Sequence, residues 1–276
     1  DEDYVLSDFV NVNTGVTLTL SPGVVVKGHP SSSNVGAFVI NGTLIADGTP
    51  SQPIVFTSFY DDSHGGDTNG DGNASTPAAE DWVGIGFANS STNNVLDNVR
   101  VHYAGYKGVI GCCWRWNFGH SASLFTSTSD LTVSDSSITD GGDYGTFVSA
   151  ASPDLNGNLI ENHGTGIYLE DSNASITGNT IRDNSSTGIN AQSSLDLTIT
   201  GNTISGSSVA IGLEVSSTNS TVTGNTIAAN SVNGIVVSGG TLLSNTHWAS
   251  DEDYVLSESV NVNTGVTLTL SPGVVV

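Results

Sequence analysis

The chain has 276 residues, with 27 acidic against 5 basic side chains, 33 glycines, 2 cysteines, no methionine and a formal net charge of −22. Nucleic-acid binding needs clustered Lys and Arg, whereas Lys27, Arg100, Lys107, Arg115 and Arg182 are scattered singly, so that function is excluded. No apolar run reaches the roughly 18–20 residues of a helical membrane span, and the start is acidic rather than a basic leader, so a soluble, mature or excised chain is expected.

Thr, Val, Ser, Asn and Gly dominate while good helix formers are scarce, which points to an all-β chain. Its first 26 residues, DEDYVLSDFVNVNTGVTLTLSPGVVV, return at 251–276 with only Asp8 replaced by Glu258 and Phe9 by Ser259. Such a return implies tandem modules: residues 1–250 form one module and 251–276 open the next. Alternating strand patterns follow at 15–26, 41–49 and 53–58.

Between Phe59 and Trp82 an insertion of about 20 residues carries Asp67-Thr68-Asn69-Gly70-Asp71-Gly72-Asn73. Oxygen ligands at alternate positions and a glycine at the sixth are the first half of a calcium loop, because a hard cation needs several oxygens gathered by a sharp turn. Position twelve is Ala78 rather than a glutamate, so the closing carboxylate must come from Glu80, Asp81, Asp61 or Asp62. The expected ligands are Asp67, Asn69, Asp71, Asn73 and Asp81, holding a structural Ca2+ that pins the insertion.

Arg100, in Asp97-Asn98-Val99-Arg100-Val101-His102, and Arg182 are the two basic candidates for catalysis, each read first as a solvated or carboxylate-paired residue. Residues 105–125 break the strand rhythm and are expected to protrude as a contact loop. Cys112 and Cys113 within it leave a vicinal disulfide, an intermolecular bridge and two reduced thiols open, with soft-metal binding alongside His102 or His120 a further alternative. Trp114 and Trp116 are candidate contact aromatics for a sugar ring or a protein, or fill a packing gap.

The middle of the chain repeats Gly-Asn-x-Ile at 157, 178, 201 and 224, with a second mark, Gly-Ile or Ala-Ile, at 166, 188, 210 and 234. A period of about 22 residues with short strands and no room for a helix is that of a β-solenoid, each coil pairing in parallel with the next. Asn158, Asn179, Asn202 and Asn225 are then expected to stack as a ladder at one bend. Acidic residues such as Asp171, Asp183 and Asp196 fall in turns.

These marks resemble the right-handed parallel β-helix family of pectin-lyase-like fold, over 130–248 most clearly, and the head resembles opening coils of β-helix modules in large bacterial surface proteins. The resemblance implies a right-handed parallel β-helix and leaves two functions. The favoured expectation is a non-enzymatic structural or adhesive module of an extracellular fibre, stalk or filament, stacked end to end on neighbouring copies and in contact with cell-surface polysaccharide. The alternative is a calcium-dependent polysaccharide lyase or epimerase, marked by a groove in which carboxylates cluster with a Lys or Arg.

Overall fold

The computed structural model describes residues 3–30, 35–72, 74–106, 121–249 and 251–276. Short strands recur in sets of three, each joining one of three parallel sheets of nine, ten and eight strands. The first sheet begins Asp3–Leu6, the second Phe9–Val12 and the third Thr17–Leu20, and later coils extend each until the last turns, where Gly240–Leu242 and Thr246–Trp248 each start a separate two-stranded sheet. Every pairing between these strands is parallel, because each coil runs in the same sense as its neighbours at a spacing of about 4.8 Å.

The repeat marks acquire distinct positions in this frame. The isoleucine of Gly-Asn-x-Ile points inward from the first sheet, where Ile138, Ile160, Ile181 and Ile204 lie in register. The isoleucine of the second mark points inward from the second sheet as the column Ile167, Ile189, Ile211 and Ile235. The third sheet closes the core with Val133, Leu155, Ile176, Ile199 and Val222. All of these side chains are buried, and branched residues suit a strand whose inward face has nowhere to flex.

The bend between the third and first sheets holds the asparagines. Asn179 donates from Nδ2 to Leu155 O (2.9 Å) and to Asn202 Oδ1 (3.0 Å), and its backbone N–H donates to that same Oδ1 (2.9 Å). Asn158 treats Asn179 in the same way, as Asn202 does Asn225. Gly178 and Gly201, with φ of +65° and +66°, supply the left-handed backbone that turns the chain before each asparagine. A second bend stacks serines: Ser172 N–H donates to Ser194 Oγ and Ser194 N–H to Ser217 Oγ. A third uses His163, whose N–H donates to Asn184 Oδ1, and Ser207, whose N–H donates to Asn230 Oδ1.

Residues 254–256, 260–262 and 268–270 pair in parallel onto 235–237, 240–242 and 246–248. Tyr254–Leu256 joins the second sheet, whereas the matching Tyr4–Leu6 lies in the first, so nearly identical segments occupy different faces. The protruding loop expected over 105–125 is shorter at its far end, because Ala122–Thr126 forms a strand of the second sheet with Leu124 buried in the core. Residues 107–120, with Cys112, Cys113, Trp114, Trp116 and His120, lie outside the described residues.

Two outcomes follow. Asn202→Ala strips a buried acceptor from Asn179 and two donations of its own, and is expected to cost roughly 2–4 kcal/mol by chemical denaturation, against less than about 0.5 for the outward Thr200→Ala. His163 is 4% exposed, and burial, opposed in part by Asp140, pushes its pKa from 6.5 down to about 4. The folded state therefore resists protonation, so this group's stabilisation is complete above about pH 6.5 and is lost as pH falls toward 4. Glu252, raised by burial from 4.5 to about 7, acts in the opposite sense, losing stabilisation as pH rises across that interval. His163→Asn places in this coil the residue that Asn184 supplies in the next. Melting curves across pH 4–7 are expected to show the variant losing about 2 kcal/mol less than the native chain on acidification; parallel curves would refute the assignment.

Candidate functional site

The outward face of the first sheet gathers side chains far apart in sequence. Alternation sends Val99 and Val101 inward from the strand Val99–His102, and Arg100 and His102 outward. Register then continues the His102 position through Thr139, Glu161, Arg182 and Ser205, one per coil. On the preceding coils the same column passes through Thr57 and Lys27. Parallel stacking thus makes a row of functional groups from residues that recur some 20–45 positions apart.

The insertion folds over one end of this row. Lys27 is completely buried and donates from Nζ to Asp61 O (3.0 Å) and Gly66 O (2.7 Å), so an ammonium anchors the start of the loop. At the other end Trp82 packs on Gly28, where any Cβ would strike the indole, and donates from Nε1 to His102 O (2.8 Å). Asp61, 2% exposed, accepts from Thr57 Oγ1 (2.6 Å), Ser63 N (3.0 Å) and His64 Nδ1 (2.9 Å). Burial alone would raise the Asp61 pKa; the hydrogen bonds from His64, Ser63 and Thr57 outweigh it and hold the carboxyl well below the usual range.

The His64 Nδ1 edge thus meets the ionised Asp61 and its Nε2 faces Arg100, whose NH1 approaches to 3.4 Å. The His64 ring stacks on His102 with centroids 5.7 Å apart and planes 20° from parallel. His102 Nδ1–H donates to Thr139 Oγ1 (2.7 Å), and that hydroxyl donates to Asp140 Oδ2 (2.8 Å). Burial first, and then the neighbouring His64, push the His102 pKa down to about 4, so this ring is neutral near pH 7. Around these side chains lies an open groove of about 600 Å³, lined among others by His64, Arg100, His102, Asp140 and Glu161.

The two basic candidates differ. Arg182 donates from Nε to Glu161 Oε2 of the adjacent coil (2.5 Å), a carboxylate-paired position. Arg100 is exposed and, among the described residues, has no carboxylate partner. Sequence reasoning named both arginines but not His64, and named His102 only as a soft-metal ligand. Nothing local marks Asp61-x-x-His64 as a pair; only the fold carries it onto Arg100.

In the Asp/Asn-rich loop, carboxylate oxygens of Asp62, Asp67 and Asp71 lie within 4.8 Å of one another. Asp67 also accepts from the N–H groups of Asp71 and Gly72, and Asn69 Oδ1 accepts from Asp71 N. Asp62 Oδ1 is buried without a hydrogen-bond partner. Asp81 is not in this group: its Oδ2 accepts from Ser58 Oγ (2.6 Å) and Ala78 N (2.9 Å). Asn73 lies outside the described residues.

No curated protein matches the sequence. The family model "Right handed beta helix region" matches residues 121–269, and "Pectate-lyase like beta helix domain" matches 1–109. Among solved structures, the periplasmic alginate epimerase AlgG is similar at 11% identity and a TM-score of 0.47, covering 98% of this chain and 78% of that one. The enzymatically active domain of tailspike protein 2 from bacteriophage CBA120 is similar at 10% identity and a TM-score of 0.37, and the tailspike of E. coli bacteriophage HK620 at 11% and 0.35. The chain covers 95% and 97% of itself in these matches but spans only 43% and 59% of the tailspike chains.

This geometry corrects the expectation of a non-enzymatic structural or adhesive module, because coil stacking assembles the groove of carboxylates and arginine that marks the alternative. Each arginine is read from sequence as a solvated or carboxylate-paired residue, because sequence separation hides their common face. With a family match over more than half of its length and three parallel sheets wound as one solenoid, the chain belongs to the right-handed β-helix family.

Proposed function

We propose that the chain is a carbohydrate-active enzyme that removes the C5 proton of a uronate within an anionic polysaccharide, as a lyase or an epimerase does. The observation that carries this reading is Arg100, an exposed guanidinium without a carboxylate partner among the described residues, 3.4 Å from Nε2 of His64. In a chain with 27 acidic and 5 basic side chains, such a cation is a specific place for an incoming carboxylate.

Arg100 would pair with the C6 carboxylate and stabilise the negative charge that moves onto it as C5 loses its proton. His64 Nε2 takes that proton, and Asp61 stabilises the resulting imidazolium through Nδ1–H. His102, neutral and stacked behind His64, holds the ring without adding a competing charge. The electron pair left at C5 either takes a proton from water on the face opposite His64, inverting the centre, or forms the C4–C5 double bond as the C4–O bond breaks, the departing oxygen taking a proton from water or from the His64 imidazolium.

We also propose that Ca2+ binds among Asp62, Asp67 and Asp71. Three clustered carboxylates suit a hard cation, and the ion would stiffen the loop that carries Asp61 and His64. The net charge of −22 opposes a polyanion at long range, so added calcium and moderate salt should speed association. We place the chain outside the cell or at its surface, where such polymers occur, and read 251–276 as the first coil of a following module.

The test is incubation with alginate, polygalacturonate and glucuronan in D2O, with calcium or with EDTA, followed by NMR for deuterium at C5 and for unsaturated ends. The native chain is expected to modify at least one polymer, faster with calcium, with Arg100→Ala and His64→Ala each slower by about 100-fold or more while Thr180→Ala on the same sheet keeps the native rate. No change in any polymer, or full activity in Arg100→Ala, would overturn the reading.

A further inference from the structure

The second sheet carries an outward column of another chemistry. Phe125, Phe147, Tyr168, Asn190, Gly212 and Val236 follow one another in register over successive coils. Beside it runs Glu170, in register with Gln192, and then Glu214, in register with Ser238. Where the column passes from Asn190 to Val236 the surface opens into a groove of about 510 Å³ whose lining includes Asn190, Gln192, Gly212, Glu214 and Val236. That volume lies in the range of about 300–1,000 Å³ usual for small-molecule sites.

Gly212 makes the groove. It sits within the strand Val209–Glu214 and is not among the glycines of positive φ, so its backbone does not call for glycine. A Cβ there would meet only Asn190 and Thr187 atoms at 3.8 Å, an ordinary contact, so crowding does not call for it either. Gly166 and Gly188 on the same sheet differ, since a Cβ on either would fall 2.7 Å from a backbone oxygen. A strand glycine demanded by neither conformation nor packing weakens the strand and leaves the floor open to something that approaches closely. An extra residue in Val232–Ser238, where the register shifts between Val209 and Ile211, bends the adjoining strand beside the same floor.

The lining defines the ligand. Asn190 and Gln192 offer amide donors and acceptors, and Glu214, held through Oε2 by Ser193 N (2.7 Å) and Ser193 Oγ (3.1 Å), offers a fixed acceptor. Tyr168, half-buried, borders Asn190 at one end and Val236 closes the other. The lining residues include carboxylate but neither cation nor histidine, which disfavours an anionic sugar and provides no base for proton transfer.

We propose that this groove is a non-catalytic binding site for a neutral oligosaccharide. The apolar face of a pyranose rests over Gly212 and against Val236 or the Tyr168 ring, and its equatorial hydroxyls meet Asn190, Gln192 and Glu214. The site is on a different sheet from Arg100 and does not depend on the reaction proposed there.

Isothermal titration of the full chain with cellohexaose, mannohexaose and xylohexaose, with hexagalacturonate as the anionic comparison, tests it. At least one neutral hexasaccharide is expected to bind with 1:1 stoichiometry, at least tenfold more weakly to Gly212→Val and unchanged to Arg100→Ala, while the Gly212→Val melting temperature equals or exceeds that of the native chain. Asn190→Ala, at a partly exposed position, should weaken binding at least fivefold and serves if Gly212→Val fails to fold. Absence of binding by all three neutral sugars, native affinity in the groove variants, loss in Arg100→Ala, or displacement of a bound neutral sugar by hexagalacturonate would each overturn the proposal.

Discussion

Parallel stacking in fixed register is the constraint on which the rest of this molecule depends. Once one coil lies on the next with equivalent residues in contact, an inward residue becomes a core column and an outward residue a surface row. The corners enforce that register. Asn158, Asn179 and Asn202 each donate from the side-chain amide to the equivalent asparagine of the next coil, so a slip by one residue would leave several buried polar groups unpaired. The serine and His163/Asn184 bends impose the same condition at the other corners.

Function follows from the outward rows rather than from any local motif. Successive coils place His102, Thr139, Glu161 and Arg182 side by side, and the insertion lays Asp61 and His64 across one end. Each charge is managed differently: Arg182 is matched by Glu161, Lys27 is buried onto carbonyl oxygens, and Arg100 presents its guanidinium beside His64. A net acidic protein can therefore hold a local anion site, because attraction over a few ångströms outweighs a diffuse field that salt screens.

The fold was legible because its period is written in the residues that make it. Glycine turns the chain before each asparagine, and isoleucine fills the core two residues later, so Gly178-Asn179-Thr180-Ile181 shows a bend and a strand in four letters. The serine bend was not read, since Ser172, Ser194 and Ser217 stand in a chain crowded with serine. The site was legible only as isolated arginines. The distance from Asp61-x-x-His64 to Arg100 depends on how an insertion folds back, and periodicity carries no information about that. Gly212 was hidden for a different reason: its significance lies in the absence of a steric need, which only neighbouring atoms can show.

The central claim is that the outward face of the first sheet is an acceptor for a carboxylate-bearing sugar with Arg100 as its anchor. A crystal structure of the chain soaked with a short oligouronate and calcium tests it most directly. The account predicts a uronate carboxylate on the Arg100 guanidinium, with C5 within reach of His64 Nε2 and Asp61 still bonded to His64 Nδ1. A uronate bound on another face, with Arg100 still turned to His64, would contradict it.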